Sequence, residues 1–309
     1  MSFNGRSLQR MCSGSTDNFL LKISSRSRRR TRKSPRTHAL PLASFRSGVW
    51  NYWKEQGRRD LPWRRTNHPY KILVSELMLQ QTQVHRVIPK YKEFLKAFPT
   101  VRHLARSHFV DVLKVWNGLG YNRRAKYLRD AAIEVVEKHG GNVPRDYQSL
   151  RALSGVGDYT ARAIRVFAFN EPDILLETNI RTAYIHNFYS SILQKTAISD
   201  SEILPLAASA AEDNPPGGGR REWHWALMDY GAYLKRSGVR NNHRSAHYTR
   251  QSKFEGSFRQ LRGAIIRALA SSKNISGLRN HYIGKFDRAL ASLARDGLIV
   301  SEKGRWRIA

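Results

Sequence analysis

Apolar residues recur at helical spacing along most of this chain, and only its last dozen positions alternate like strands. Ser44 is placed to cap a helix through Tyr52, after which Arg58-Arg59-Asp60-Leu61-Pro62-Trp63-Arg64 reads as a basic, aromatic loop. From Tyr70 to about Val87 the spacing predicts one helix, with Ile72, Leu73, Glu76, Leu77 and Gln80 on a single face. A helix from Ser107 stops at Gly118-Leu119-Gly120. The next, capped by Asn122, turns Ala125, Leu128, Ala132 and Val135 inward and ends at Gly140-Gly141. Asp146 caps a short helix that leads into Leu153-Ser154-Gly155-Val156-Gly157. Helices over 158–169 and from about Thr178 to Tyr189 follow, separated by a loop at Glu171-Pro172-Asp173. Residues 212–220 read as a flexible link, 222–234 as an apolar, aromatic helix and 235–250 as a basic loop.

The end of the chain changes character. Helices at about 257–271, 276–282 and 284–296 precede a hairpin in which Leu298-Ile299-Val300 and Arg305-Trp306-Arg307-Ile308 pair across Lys303-Gly304. Residues 255–309 therefore read as a separate winged-helix-like unit, a type that binds DNA or docks protein. The chain as a whole is all-α apart from that hairpin.

Two stretches carry chemistry. Glu76 lies beside three aliphatic side chains, where desolvation raises a carboxyl's pKa and suits it to general acid work. An acid at the stripe's edge, reaching water, is equally compatible with that helix alone. Gly155-Val156-Gly157, with a helix starting behind it, suits a turn that presents bare backbone N–H groups to a phosphate.

Charge names the partner. With 54 Lys+Arg against 24 Asp+Glu, the formal net charge of +30 points to a polyanion. No apolar run is long enough to span a bilayer, so nucleic acid is favoured over membrane. Residues 1–42 are rich in Ser and Arg and are expected to be disordered. A basic arm on DNA, a transit-like peptide and an upstream start-site artefact all stay open for them. Cys12 is the only cysteine, which excludes a disulfide framework and a cysteine-ligated metal or iron–sulfur cluster.

Five segments together resemble the helix-hairpin-helix (HhH-GPD) DNA glycosylases, and within them the MutY-type adenine glycosylases. They are Leu61 to Arg64, Ser75 to Val84, Gly118 to Tyr121, Leu153 to Ala161 and Leu227 to Ala232, in the family's order across about residues 45 to 235. The resemblance implies a two-lobed all-α enzyme spanning 43–250, with a helical barrel over about 70–176 and a second lobe from 43–69 plus 177–250. It implies a duplex gripped at the hairpin and one nucleotide flipped into the cleft. Glu76 matches the family's general acid and Glu177 falls where the family carries a carboxylate that stabilises the oxocarbenium-like sugar. Asn179 matches a polar residue that supports the water and the phosphate. Tyr159 stands where strand-cleaving relatives carry a Schiff-base lysine, implying a monofunctional enzyme that leaves an abasic site.

DNA contacts are expected from Gly155, Val156, Gly157, Thr160, Gln80, Gln81, Thr82, Tyr121, Arg123 and Arg124, with Gln81 filling the gap left by the flipped base. Lys126 is a further candidate beside the two arginines. The expected partner is double-stranded DNA with a mismatched or damaged pair, bound by a monomer with no cofactor. The hairpin leaves room for a monovalent cation. Localisation follows the DNA: cytoplasmic in a bacterium, nuclear or mitochondrial in a eukaryote.

Four departures bear on the reading. Glu177 replaces the family's aspartate, moving the carboxylate by about 1.5 Å unless the backbone or rotamer compensates. Lys235 stands where the first cluster cysteine would be. Asn122 replaces a second wedge tyrosine. The winged-helix-like unit takes the place of the Nudix-like domain that recognises 8-oxoguanine. Excision of adenine opposite guanine or 8-oxoguanine is the favoured activity; excision of thymine or uracil from mismatches, and a non-catalytic DNA-binding protein on the same scaffold, are the alternatives.

Overall fold

The computed structural model describes residues 41–190, 197–212, 219–249, 253–282 and 284–309. The basic tail up to residue 40 and positions 213–218 of the link lie outside the described residues.

Helix α1 (Leu42–Gln56) begins after Pro41, two residues ahead of Ser44, which therefore sits inside the helix instead of capping it. The stretch expected to be one helix from Tyr70 to Val87 is two, α2 (Pro69–Leu79) and α3 (Val84–Ala97). The break has a remote cause. Arg124 donates to the carbonyls of Leu77, Met78 and Gln80. Oxygens that a continuing helix would offer to its next turn are thereby engaged from outside. Gln81 leaves the helix with φ of 54°.

Two short helices follow, α4 (Val101–Arg106), capped by Thr100, and α5 (Phe109–Trp116). Helix α6 (Arg123–His139) ends on left-handed Gly140. Helices α7 (Tyr147–Ala152) and α8 (Asp158–Phe169) form a hairpin around 153–157, with Asp146 capping the first through the Ser149 N–H. Helix α9 (Thr178–Phe188) is capped by Glu177. Helix α10 (Asp200–Glu212) precedes the link and α11 (Arg220–Arg236) follows it. The sequence pattern assigns no element to α4 or α10.

Helices α2 to α8 pack on one another with α2 in the middle, against α3, α6 and α8. Tyr70 and every residue from Ile72 to Met78 are buried, so α2 is enclosed on all sides and carries Ser75 and Glu76 into the core with it. Helices α1, α9, α10 and α11 form a second group. Its centre is aromatic: Phe45 lies 5.1 Å from both Tyr184 and Phe188 and 6.3 Å from Trp223 between ring centroids.

The 58–64 loop ties the two groups together. Trp63 packs edge-on against Tyr91 of α3, while Arg58 and Arg64 both donate to Asp229 of α11, which is 1% exposed. Its basic residues are thus engaged internally. Burial pushes the Asp229 carboxyl up, but the two guanidiniums outweigh it and hold the group below the ordinary carboxylate range.

At the C-terminal end α12 (Phe258–Ala270), α13 (Ser276–His281) and α14 (Phe286–Arg295) pack with a two-stranded antiparallel sheet, β1 (Ile299–Glu302) and β2 (Arg305–Ile308). Ile299 pairs with Ile308 and Glu302 with Arg305. Lys303 and Gly304 both have positive φ, as a tight two-residue hairpin turn requires. Helix α12 also packs on α5.

Candidate active site

The site is built where α2, α8, α9 and α11 meet. Helix α2 delivers Glu76, which is 8% exposed and flanked along the helix by the fully buried Leu73 and Leu77. Burial first, and the nearby Glu177 carboxylate second, push its pKa up to about 8. At neutral pH this carboxyl holds its proton.

Glu177 arrives from a different environment. His224, buried in α11, accepts the Leu175 N–H at 3.0 Å through Nε2, while its Nδ1–H donates to the Arg220 carbonyl at 2.7 Å. Burial depresses this imidazole's pKa to about 4, so it stays neutral and keeps that tautomer. The segment leading to Glu177 is thereby pinned to α11. Glu177 then folds back as the N-cap of α9: Oε1 accepts the N–H of Asn179 at 2.8 Å and of Ile180 at 2.9 Å. This cap fixes the glutamate carboxylate on two first-turn donors at once. Oε2 accepts from the Asn179 side-chain amide at 3.3 Å. Burial raises the Glu177 pKa, while the two N–H groups, Lys235 and Arg181 oppose that rise. No comparable donors oppose the burial of Glu76, so the anionic form is better supported at Glu177 than at Glu76.

Tyr159, in the first turn of α8, lies within electrostatic range of both carboxylates; burial and then those charges hold its phenol well above the ordinary tyrosine pKa. It is a neutral phenol here, without the amine needed for a Schiff base.

At the hairpin, Gly155 is required by geometry. Its φ is 74°, and a Cβ there would stand 2.6 Å from Cβ of Tyr127. Gly157 and Asp158 are exposed at the start of α8, where first-turn N–H groups face outward. Two residues expected on DNA are turned inward instead. Val156 is 4% exposed, its N–H donates to Leu153 and its carbonyl accepts from Arg151, so it holds the turn. Thr160 is also 4% exposed and accepts from the Gln80 side chain.

Arg124 is likewise turned inward. Expected on the DNA backbone, it is 7% exposed, and besides the α2 carbonyls it donates to Thr82 Oγ1 and to the Gly120 carbonyl. Its charge lies over the rings of Trp116 and Tyr121. It clips together the 80–83 and 117–122 loops, where Gln81 (φ 54°) and Tyr121 (φ 48°) are both held left-handed. Backbone strain of this kind clusters at ligand clamps. Gln81, Thr82, Tyr121 and Arg123 line one groove of about 1050 Å³, completed by α12. Arg259 of α12 donates to the Tyr121 hydroxyl, and Arg123 stacks on Tyr127 within 3.5 Å of Asp296.

The sequence pattern missed Lys235. It belongs to the last turn of α11, not to a basic loop, and Nζ donates to Asn179 Oδ1 at 2.8 Å. A thiolate-bound cluster does not fit this chain, whose one cysteine is Cys12; among the described residues no His, Cys, Asp or Glu side chains converge as a metal site.

Residues 74–204 match the family model of the HhH-GPD superfamily base excision DNA repair protein. The adenine DNA glycosylase of Mycolicibacterium smegmatis is 32% identical over 280 residues, 83% of this chain and 94% of that protein. That of Rattus norvegicus is 42% identical over 200 residues, but this match spans only 62% of the chain and 38% of the rat protein. Among solved structures, a thermostable thymine-DNA glycosylase superimposes with a TM-score of 0.55 and 28% identity, covering 62% of this chain and 86% of that one. The chain belongs to the HhH-GPD superfamily of base excision DNA repair proteins, among its adenine DNA glycosylases.

Proposed function

We propose that the protein hydrolyses the N-glycosidic bond of adenine mispaired with guanine or 8-oxoguanine in duplex DNA, and leaves the strand intact. The observation that carries this reading is the division of labour between its two carboxyls. Glu76, neutral at physiological pH, donates its proton to N7 of a flipped adenine, so that the base departs as a neutral leaving group. The electron pair of the C1′–N9 bond leaves with the base, and the oxocarbenium-like sugar develops positive charge. Glu177, anchored on the N-terminus of α9, supplies the opposing negative charge. Asn179 beside it holds the water that adds to C1′, and the proton this water sheds passes to a carboxylate of the pair, which restores the starting protonation state. Tyr159 offers no amine, which supports hydrolysis without strand cleavage. The names of the mycobacterial and rat relatives support adenine as the base.

The duplex is gripped by the N–H groups at the start of α8 and by the Gln81 and Tyr121 loops, with affinity falling steeply as salt is added. The protein acts as a monomer. Excision measured on A:8-oxoG, A:G, T:G and U:G duplexes, with and without alkali, tests the reading. Release from the two adenine duplexes, with strand breaks only after alkali, is expected. Release confined to T:G and U:G would assign the thymine activity named for the thermostable structural neighbour instead.

A further inference from the structure

The catalytic carboxylate Glu177 depends on an amide whose orientation is not self-determined. Asn179 presents an oxygen and an NH2 group at its end, and only the NH2 can donate to Glu177 Oε2. Turned over, the same amide would set its oxygen against a carboxylate. Something must hold Oδ1 on the far side.

Lys235 does so. Its ammonium donates to Oδ1 at 2.8 Å, and an ammonium has no acceptor, so the amide can face it only oxygen-first. The placement is enforced by the backbone. Gly231, one helical turn earlier on the same face of α11, approaches α9 so closely that a Cβ would stand 1.9 Å from the Asn179 carbonyl oxygen. Farther along, the Arg240 guanidinium donates to the Lys235 carbonyl at 2.7 Å and secures the end of α11. The other cation near the carboxylate, Arg181, is ion-paired with Asp200 at 2.7 Å. We infer that Lys235 is a positioning residue for glycosidic hydrolysis, which fixes the Asn179 amide and through it the orientation and charge of Glu177.

This rests on the glycosylase reading above. The charged and titratable groups facing Glu177 are Arg181 on its own helix, Glu76 on α2, Tyr159 on α8 and Lys235 on α11. Removing Lys235 deletes one of the cations that oppose the burial of Glu177, so its pKa must rise.

The test is single-turnover excision on A:G duplex by wild type, Lys235→Met, Lys235→Arg, Asn179→Ala and the Lys235→Met/Asn179→Ala double variant. DNA dissociation constants and thermal midpoints are measured in parallel. Lys235→Met is expected to slow excision by about 10- to 100-fold, the scale of a sub-ångström to ångström misplacement, with DNA affinity within about threefold. Its rate should need a higher pH to develop, because the ionised form of Glu177 is reached later. Lys235→Arg, which keeps a charged donor, should recover most of the rate. The double variant should be no slower than the slower single one, since both changes break one chain of contacts.

An unchanged rate and pH profile in Lys235→Met overturns the inference. So does a loss matched by equal weakening of DNA binding, which would make Lys235 a phosphate contact, and so do fully additive losses. Absence of excision by wild type itself would overturn the glycosylase reading, and this inference with it.

Discussion

Consider Glu76→Gln, which preserves the shape of the side chain and removes its titrating proton. In the folded protein the carboxyl titrates at about 8, against 4.5 for an unstrained glutamate. A raised pKa means that the group favours folding fully below pH 4.5, and that this contribution is lost as pH climbs through 8. At about 1.4 kcal/mol per unit, the folded chain at pH 6 bears a cost of about 2 kcal/mol for withholding ionisation. At pH 9 the full gap applies and the cost reaches about 5 kcal/mol. Glutamine carries no such dependence. Wild type should therefore lose about 3 kcal/mol relative to Glu76→Gln between pH 6 and pH 9, a comparison in which every titrating group not coupled to Glu76 cancels. Urea unfolding of both proteins at the two pH values reads this difference directly. Excision by the variant should fall by about a hundredfold or more, the contribution of a general acid. Stability curves that run parallel from pH 6 to pH 9 would show that Glu76 is not buried as an acid, and would remove the physical basis for its role.

Three further outcomes follow from the same structure. Arg124→Met leaves the carbonyls of Leu77, Met78 and Gln80 without their donor and should cost about 2–4 kcal/mol in denaturant unfolding. It should also weaken duplex binding, because the Gln81 and Tyr121 loops lose their clip. Asp229→Asn leaves Arg58 and Arg64 without a carboxylate and should cost about 3 kcal/mol at neutral pH. Since the Asp229 pKa is depressed in the folded state, that penalty should shrink as pH falls below the ordinary carboxylate range, seen as converging thermal midpoints. Wild-type excision should decline as pH rises through about 8, when Glu76 gives up its proton, measured under single turnover.

What the sequence discloses is mostly what lies close together along it. The Glu76 environment is readable because Ile72, Leu73 and Leu77 share its helix face, whereas Glu177 is reached only through the family resemblance, by its register from Gly157. Gly155 was readable for its backbone, and its close packing on Tyr127 explains why no other residue serves. The end of α2 was not readable, because the residue that stops it, Arg124, comes 44 positions after Gln80. For the same reason Arg124 looked like a surface cation. Lys235 reaches Asn179 across 56 positions, and the resemblance marks it only as the place of a missing cysteine, with no sign of that contact. Gly231, four residues earlier, was the available signal: a glycine inside an apolar helix marks a close approach of another backbone. Val156 and Thr160 share the hairpin motif with the exposed Gly157, and the same turn needs buried anchors as well as exposed donors.

The most direct test of the account is the identity of the product. An A:G duplex is incubated with wild type, Glu76→Gln and Glu177→Gln, and released bases and DNA strands are analysed by mass spectrometry. Free adenine and an unbroken strand carrying one abasic site are expected from wild type, with almost none from either variant. Adenine release undiminished by both substitutions, or prompt strand cleavage by wild type, would contradict the account.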